Sequence, residues 1–190
     1  MTFRIGNGFD IHRFTDDPTR VLVLGGVAFP DEVGLEGHSD ADVVAHAVAE
    51  SLLGAAALGD LGGHFPDTDE RWRGADSMAL LAEVVRLVSE EGWRPVNVDC
   101  SVVAERPKLA ARRDEMQAAL SAVVGAPVTV KGRRAEGIGG LGRAEGIACM
   151  ASALVESRIH FVTVDGAEGL DDPMAGDRTV ADPTSNETST

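Results

Sequence analysis

Asp10, His12 and His46 are the side chains of this chain whose types and spacing could together hold a metal ion. Asp10 and His12 lie two apart in a short apolar run, Phe9 to Phe14. If that run is extended, the period of two puts both on one face. His46 falls inside a helical pattern, so a strand and a helix could converge one carboxylate and two imidazoles on one ion. Three protein ligands with an open fourth position is the arrangement of a zinc that acts on a substrate, not of one that only braces a fold. Spacing alone leaves a plainer reading open, in which Asp10 caps a turn and the histidines are ordinary surface or core residues.

The elements that must position these residues can be read in order. Residues 3–14 alternate around Gly6 and Gly8 and predict a first strand. Val21 to Phe29 predicts a second, interrupted by a bulge or turn at Gly25-Gly26. After a loop at Gly34 to Gly37, Ser39 offers an N-cap with Asp42 in capping-box position. Val43, Val44, Ala47, Val48, Leu52 and Leu53 then give a helical stripe running to about Leu58, with His46 at its edge. Residues 59–76 are too rich in Gly, Pro and Asp for a regular element, and long ordered loops are usually functional. Ser77 caps a second helix to about Glu91, Trp93 to Ala104 reads as a strand, and Pro107 opens a third helix through Val124. Pro127 to Lys131 is another strand, followed by a Gly-rich segment to Gly146 and a closing strand from Ile147 to His160.

Length and composition bound the answer. The 190 residues suit one domain, 1–160, with a tail at 161–190. That tail carries seven acids against one base, Arg178, a net charge of −6, and reads as disordered. The whole chain has a net charge of −14, which argues against nucleic acid binding by a general basic surface. No apolar run approaches the roughly 20 residues of a membrane span. The N-terminus lacks the pattern of a signal peptide, and Cys100 and Cys149 sit in apolar surroundings as reduced core thiols. A cytoplasmic protein is expected.

Longer motifs carry a family resemblance. Gly8-Phe9-Asp10-Ile11-His12, Gly37-His38-Ser39-Asp40-Ala41-Asp42 through His46-Ala47, Leu53-Gly54-Ala55-Ala56-Ala57-Leu58-Gly59-Asp60 and Phe65-Pro66-Asp67-Thr68-Asp69 occur in this order. Arg106-Pro107-Lys108-Leu109 and Gly142-Arg143-Ala144-Glu145-Gly146-Ile147-Ala148 follow. Over roughly residues 4–156 the chain closely resembles the 2-C-methyl-D-erythritol 2,4-cyclodiphosphate synthases of the non-mevalonate isoprenoid pathway. The resemblance implies an α/β subunit of the α+β type, with a mixed sheet of about four to five strands and helices packed on one face. It implies a homotrimer whose sheets face the threefold axis, with active sites between subunits. The implied substrate is 4-diphosphocytidyl-2-C-methyl-D-erythritol 2-phosphate, closed to the cyclic diphosphate with loss of CMP. The implied cofactors are a zinc-type ion and a magnesium or manganese ion.

Carried over residue by residue, the resemblance makes Asp10, His12 and His46 the zinc ligands and His38 the group that steadies the transition state. Ser39 becomes cap and substrate contact together, since a helix N-terminus attracts phosphate. Asp60, Gly62, Phe65, Pro66, Asp67 and Asp69 match the loop holding the erythritol part. Ala104, Pro107 and Lys108 match the nucleotide loop, and Glu136 matches the ligand of the second ion. Phe9, Arg143 and Glu145 match a central cavity that could hold an isoprenoid diphosphate, with Arg143 also a substrate contact. Plainer roles stay open: cap and turn residues for Asp42 and Asp69, solvated charge for Lys108, an ordinary loop carboxylate for Glu136, a structural ion pair for Arg143 and Glu145.

One stretch departs from the family pattern. Lys131-Gly132-Arg133-Arg134-Ala135-Glu136 stands where the family usually has Lys-Ala-Thr-Thr-Thr before its metal-binding acid. Arg133 and Arg134 therefore occupy positions of small hydroxyls that contact the diphosphate, Arg134 at a catalytic one. Guanidinium brings charge, a rigid fork and more volume than a hydroxyl. Gly140 also stands where the family often has a bulkier apolar residue. Besides the synthase, two readings survive: a diverged zinc-dependent phosphohydrolase or cyclase, and a non-catalytic trimer that binds isoprenoid diphosphate.

Overall fold

Strand β1, Phe3–Arg13, alternates as its sequence demands: Gly6 and Gly8 are buried and Asp10 and His12 half-buried, while Phe3, Ile5, Phe9 and Ile11 stand exposed on the other side. The computed structural model describes residues 2–157, so the expected end of the last strand at His160 and the 161–190 tail lie outside the described residues. Helix α1, Val43–Ala56, lies against the glycine face of β1. A Cβ at Gly6 would lie 2.0 Å from the Ser51 carbonyl oxygen, and one at Gly8 2.0 Å from that of Ala47. Only glycine lets strand and helix backbones touch in this way.

The main sheet is completed by β4 (Trp93–Val103), β5 (Val128–Arg133) and β6 (Gly146–Ser157), in the order β1-β6-β4-β5. β6 pairs antiparallel with β1 and β4, while β4 and β5 run parallel. The sheet is thus mixed and four-stranded, and the chain is α+β. Helices α3 (Ser77–Glu90) and α4 (Arg113–Val124) join α1 in burying one face of the sheet. Twelve of the fourteen residues of α1 are buried, because sheet, α3 and the rest of the core surround it. Among the described residues, no helix is long and apolar enough to cross a membrane.

Several expectations are corrected. Val21 to Phe29 is not one interrupted strand but a hairpin of β2 (Val21–Leu24) and β3 (Val27–Val33), apart from the main sheet. Gly25 and Gly26 form its turn, with φ of 58° and 74°, as a two-residue hairpin loop of this hand requires. The cap of α1 is Asp42, not Ser39. Its buried carboxylate accepts four backbone N–H groups: Val44 and Ala45 at the helix start, Gly25 and Gly26 in the hairpin turn. A hydrogen bond to a charged group is worth roughly 1.5–3 kcal/mol, so Asp42 both starts α1 and ties the hairpin to it. Asp76, not Ser77, caps α3. α4 begins at Arg113 rather than Pro107, after a 3-10 turn at Leu109–Ala111. The 59–76 segment contains the one-turn helix α2 (Leu61–His64) and a 3-10 turn at Glu70–Trp72. A further single turn, α5 (Gly139–Gly142), interrupts the Gly-rich segment.

Candidate functional site

β1 and α1 bring Asp10, His12 and His46 together, with one donor atom from each inside a 4.8 Å cluster. Asp10 Oδ2 lies 3.1 Å from His12 Nε2 and 2.9 Å from His46 Nδ1. Burial pushes the Asp10 carboxyl up, but hydrogen bonds from the two imidazoles outweigh it and hold the group well below the usual carboxylate range. Burial likewise pushes His12 down, and the Asp10 carboxylate overrides it to raise that imidazole above its ordinary value. Two ring nitrogens and a carboxylate, partly desolvated, form a donor set that could hold a divalent metal ion.

Each imidazole is oriented from behind. His12 Nδ1 lies 2.7 Å from the Glu36 carbonyl, so its N–H points there and Nε2 faces the cluster. His46 Nε2 lies 2.8 Å from Ser77 Oγ and 3.2 Å from Ser39 Oγ. Ser77 Oγ in turn donates to Asp40 Oδ1, and Asp40 Oδ2 accepts the Ser77 N–H. Carboxylate, hydroxyl and imidazole therefore form a chain that can keep a proton on Nε2 and turn Nδ1 toward an ion. Ser39 Oγ also accepts from the Ala41 N–H, so its hydroxyl serves the loop and His46. Arg20 pins the same loop by donating to the carbonyls of Gly37 and Ser39.

The triad opens onto a cavity of about 540 Å³. His38, Ser39, Gly62, Phe65, Pro66 and Asp67 share its wall with the triad. His38 Nε2 lies 3.1 Å from the Asp69 carbonyl. Asp69 itself caps the 3-10 turn and pairs with Arg71, and Asp60 caps α2; neither lines the cavity. The resemblance left unmentioned Trp72 and Glu50, which also line it. Phe65 and Trp72 meet edge to face at 5.0 Å. Glu50 lies four residues after His46 and accepts the Leu61 N–H, which anchors α2 beside the site.

A second cavity, of about 400 Å³, gathers Ala104, Pro107, Lys108, Arg133 and Arg134, together with Arg113 and Glu105. It shares no lining residue with the first. Arg134 does not point freely into it: its Nε and Nη2 donate to Glu105 Oε2 at 2.9 and 2.6 Å. That pairing holds the Glu105 carboxyl below its ordinary range. Glu136 is exposed, has a left-handed φ of 51° and lines neither cavity. Among the described residues the triad is the one cluster of three or more possible metal ligands, and Glu136 is not part of it. Arg143 and Glu145 form an exposed ion pair at 2.7 Å, and Phe9 lies on the uncovered sheet face, 57% exposed.

The YgbB family model matches residues 3–156. The 2-C-methyl-D-erythritol 2,4-cyclodiphosphate synthase of Dechloromonas aromatica is 52% identical over 159 residues, covering 82% of this chain and 98% of that protein. That of Salinibacter ruber is 53% identical over 157 residues, covering 81% and 99%. A solved 2C-methyl-D-erythritol-2,4-cyclodiphosphate synthase in its CDP-bound form superposes with a TM-score of 0.73 at 35% identity, over 80% of this chain and all of that one.

Proposed function

Because the chain belongs to the YgbB family, that of the 2-C-methyl-D-erythritol 2,4-cyclodiphosphate synthases, we propose that Asp10, His12 and His46 hold a zinc-type ion beside the reacting phosphates. The enzyme converts 4-diphosphocytidyl-2-C-methyl-D-erythritol 2-phosphate to the 2,4-cyclodiphosphate and releases CMP. An oxygen of the 2-phosphate attacks the β-phosphorus. The bond from that phosphorus to the α-phosphate oxygen breaks, and CMP leaves with the electron pair. The nucleophile is already an anion, so the protein must supply positioning and charge neutralisation rather than a base. A divalent ion in the triad supplies positive charge to the phosphate oxygens.

The chain's own groups do the rest. His38, held through Nε2 by the Asp69 carbonyl, lines the cavity beside the triad, where it can hydrogen-bond a phosphate oxygen. Phe65 against Trp72 forms an apolar wall for the methyl-bearing carbon skeleton. Gly62, Pro66 and Asp67 border the erythritol hydroxyls, with Asp60 and Asp69 shaping that loop. Ala104, Pro107 and Lys108, with Arg133, border the cytidine and its phosphates. The single observation that supports this reading most is the meeting of the triad and His38 on one cavity wall.

The nucleotide and metal cavities are separate within one subunit. Ile5, Phe9, Ile11 and Met150 leave the outer sheet face apolar and 52–72% exposed, a patch of the kind that marks an interface. We infer a homotrimer packed on this face, in which the triad of one subunit meets the nucleotide cavity of the next. Phe9, Arg143 and Glu145 then lie near the axis, at the position where an isoprenoid diphosphate could bind.

The test is CMP release from 4-diphosphocytidyl-2-C-methyl-D-erythritol 2-phosphate by zinc-loaded protein, with the sugar product identified. Cyclic diphosphate in step with CMP is expected. An open-chain product, or no CMP from folded, loaded protein, would overturn the assignment.

A further inference from the structure

The second cavity is strongly cationic in a chain of net charge −14. Lys108, Arg113, Arg133 and Arg134 line it against one acid, Glu105. That acid is committed, since its Oε2 accepts from Arg134 and its Oε1 from the Ala135 N–H. Among the described residues, Lys108 and Arg113 make no ion pair, and Arg133 reaches only the carbonyl of its neighbour Gly132. The other described cations are all engaged. Arg13, Arg71, Arg73, Arg86, Arg94, Arg112, Lys131, Arg134 and Arg143 pair with acids. Arg4 and Arg106 lie over aromatic rings, and Arg20 holds two carbonyls. Among the described residues, the cations with no acid, aromatic ring or pair of carbonyls to hold them, Lys108, Arg113 and Arg133, thus line one cavity.

Such a lining suits direct contact with phosphate. Guanidinium offers a charged fork that fits phosphate oxygens, and ammonium adds a point charge. Low-dielectric walls strengthen both. A magnesium ion wants the opposite surroundings: it is held by one or two carboxylates together with phosphate oxygens and water. Here the one lining carboxylate is already bound to Arg134 and a backbone amide, and Glu136 is exposed and lies outside the lining. The residues present do not fit the second divalent ion that the family resemblance implies.

We propose that Lys108, Arg113 and Arg133 neutralise the nucleotide's phosphates by direct contact, so that this enzyme needs no second divalent ion at Glu136. The identity of the ligand rests on the synthase reading; the direct contact rests on the cavity itself. Arg134 acts as a positioning residue, latching the 133–136 turn to the nucleotide loop through Glu105.

The experiment uses the full chain, loaded with one zinc per subunit in magnesium-free buffer, and measures CDP affinity by calorimetry and CMP release in parallel. Adding millimolar magnesium should change the CDP dissociation constant and the turnover rate by no more than about twofold. Arg133→Thr should weaken CDP binding without magnesium by about tenfold or more, and magnesium should restore part of the loss. If Arg133→Thr folds poorly, Lys108→Gln offers the same comparison on another element. CDP binding or turnover by the unaltered chain that rises tenfold or so with magnesium overturns the proposal, as do variants that bind CDP as well as the unaltered chain. Magnesium-independent CDP binding without any CMP release would support the direct contacts while sinking the assigned reaction.

Discussion

Ser77 Oγ stands 2.8 Å from His46 Nε2 and donates its own hydrogen bond to Asp40 Oδ1. The imidazole that α1 brings to the triad is thus steered by the first residue of α3, held in turn by the loop that leads into α1. Removing that hydroxyl leaves the His46 N–H facing Ser39 Oγ at 3.2 Å, a weaker partner. Ser77→Ala should therefore lower zinc affinity by about tenfold, near the lower end for lost outer contacts at metal sites, with helix content unchanged. Competition against a chromophoric chelator measures it, and Ser77→Thr should recover most of the affinity. Unaltered affinity in Ser77→Ala would mean that Asp40 and Ser77 merely pack.

His46→Ala should lose bound zinc and drop turnover by about a thousandfold or more while keeping the assembly intact, and Lys108→Ala should weaken nucleotide binding. If each site is built from two subunits, refolding the two variants together regenerates sites in which both halves are unaltered. Activity of the mixture should then clearly exceed the sum of its parts. No gain would place the whole site within one subunit.

The pH response of the metal-free protein follows from His12. Its imidazole is raised above the ordinary 6.5 because the bond to Asp10 outweighs burial. That stabilisation is fully present below 6.5 and is lost as pH climbs through the raised value. Asp10, held low, contributes stability above the ordinary 3.8 that disappears only as pH falls through its depressed value. The melting temperature of zinc-stripped protein should accordingly decline from weakly acidic to alkaline pH, and His12→Gln should flatten that decline.

Gly8→Ala is expected to be among the worst small changes in the chain. Its Cβ would lie 2.0 Å from the Ala47 carbonyl oxygen, so strand or helix must shift. A loss of about 3 kcal/mol or more is expected, read as a lower urea midpoint. A midpoint close to that of the unaltered chain would mean that β1 and α1 can separate freely.

Deleting residues 165–190 should leave turnover unchanged, because the family match ends at residue 156. A large fall would bring the acidic segment into the chemistry.

The contrast between what could and could not be read from the sequence has a physical basis. Asp10 and His12 were legible because strand alternation is local, and His46 because its apolar neighbours recur with helical spacing. The α1 cap was misread because Ser39 and Asp42 are both good caps in the right place. Two distant amides, Gly25 and Gly26, complete the Asp42 carboxylate's bonding, and such contacts leave no local pattern. Gly25-Gly26 could be read as a bulge or a turn for the same reason: whether a strand bends or reverses depends on what pairs with it. Ser77 looked like a cap, whereas its hydroxyl faces a histidine 31 positions earlier. Glu105 carries no local signal of its role, because its partner Arg134 lies 29 residues away in sequence.

The backbone contact at Gly6 and Gly8 also bears on which ions the triad can accept. Asp10 follows Gly8 by two residues and His46 precedes Ala47, so both side chains ride on elements whose backbones meet directly. Strand and helix cannot close further without overlap at these glycines. Loading should therefore release little heat capacity and leave amide exchange in α1 almost as slow as before. Discrimination would then turn on ionic radius: cadmium, larger than zinc, should bind under strain instead of remodelling its host.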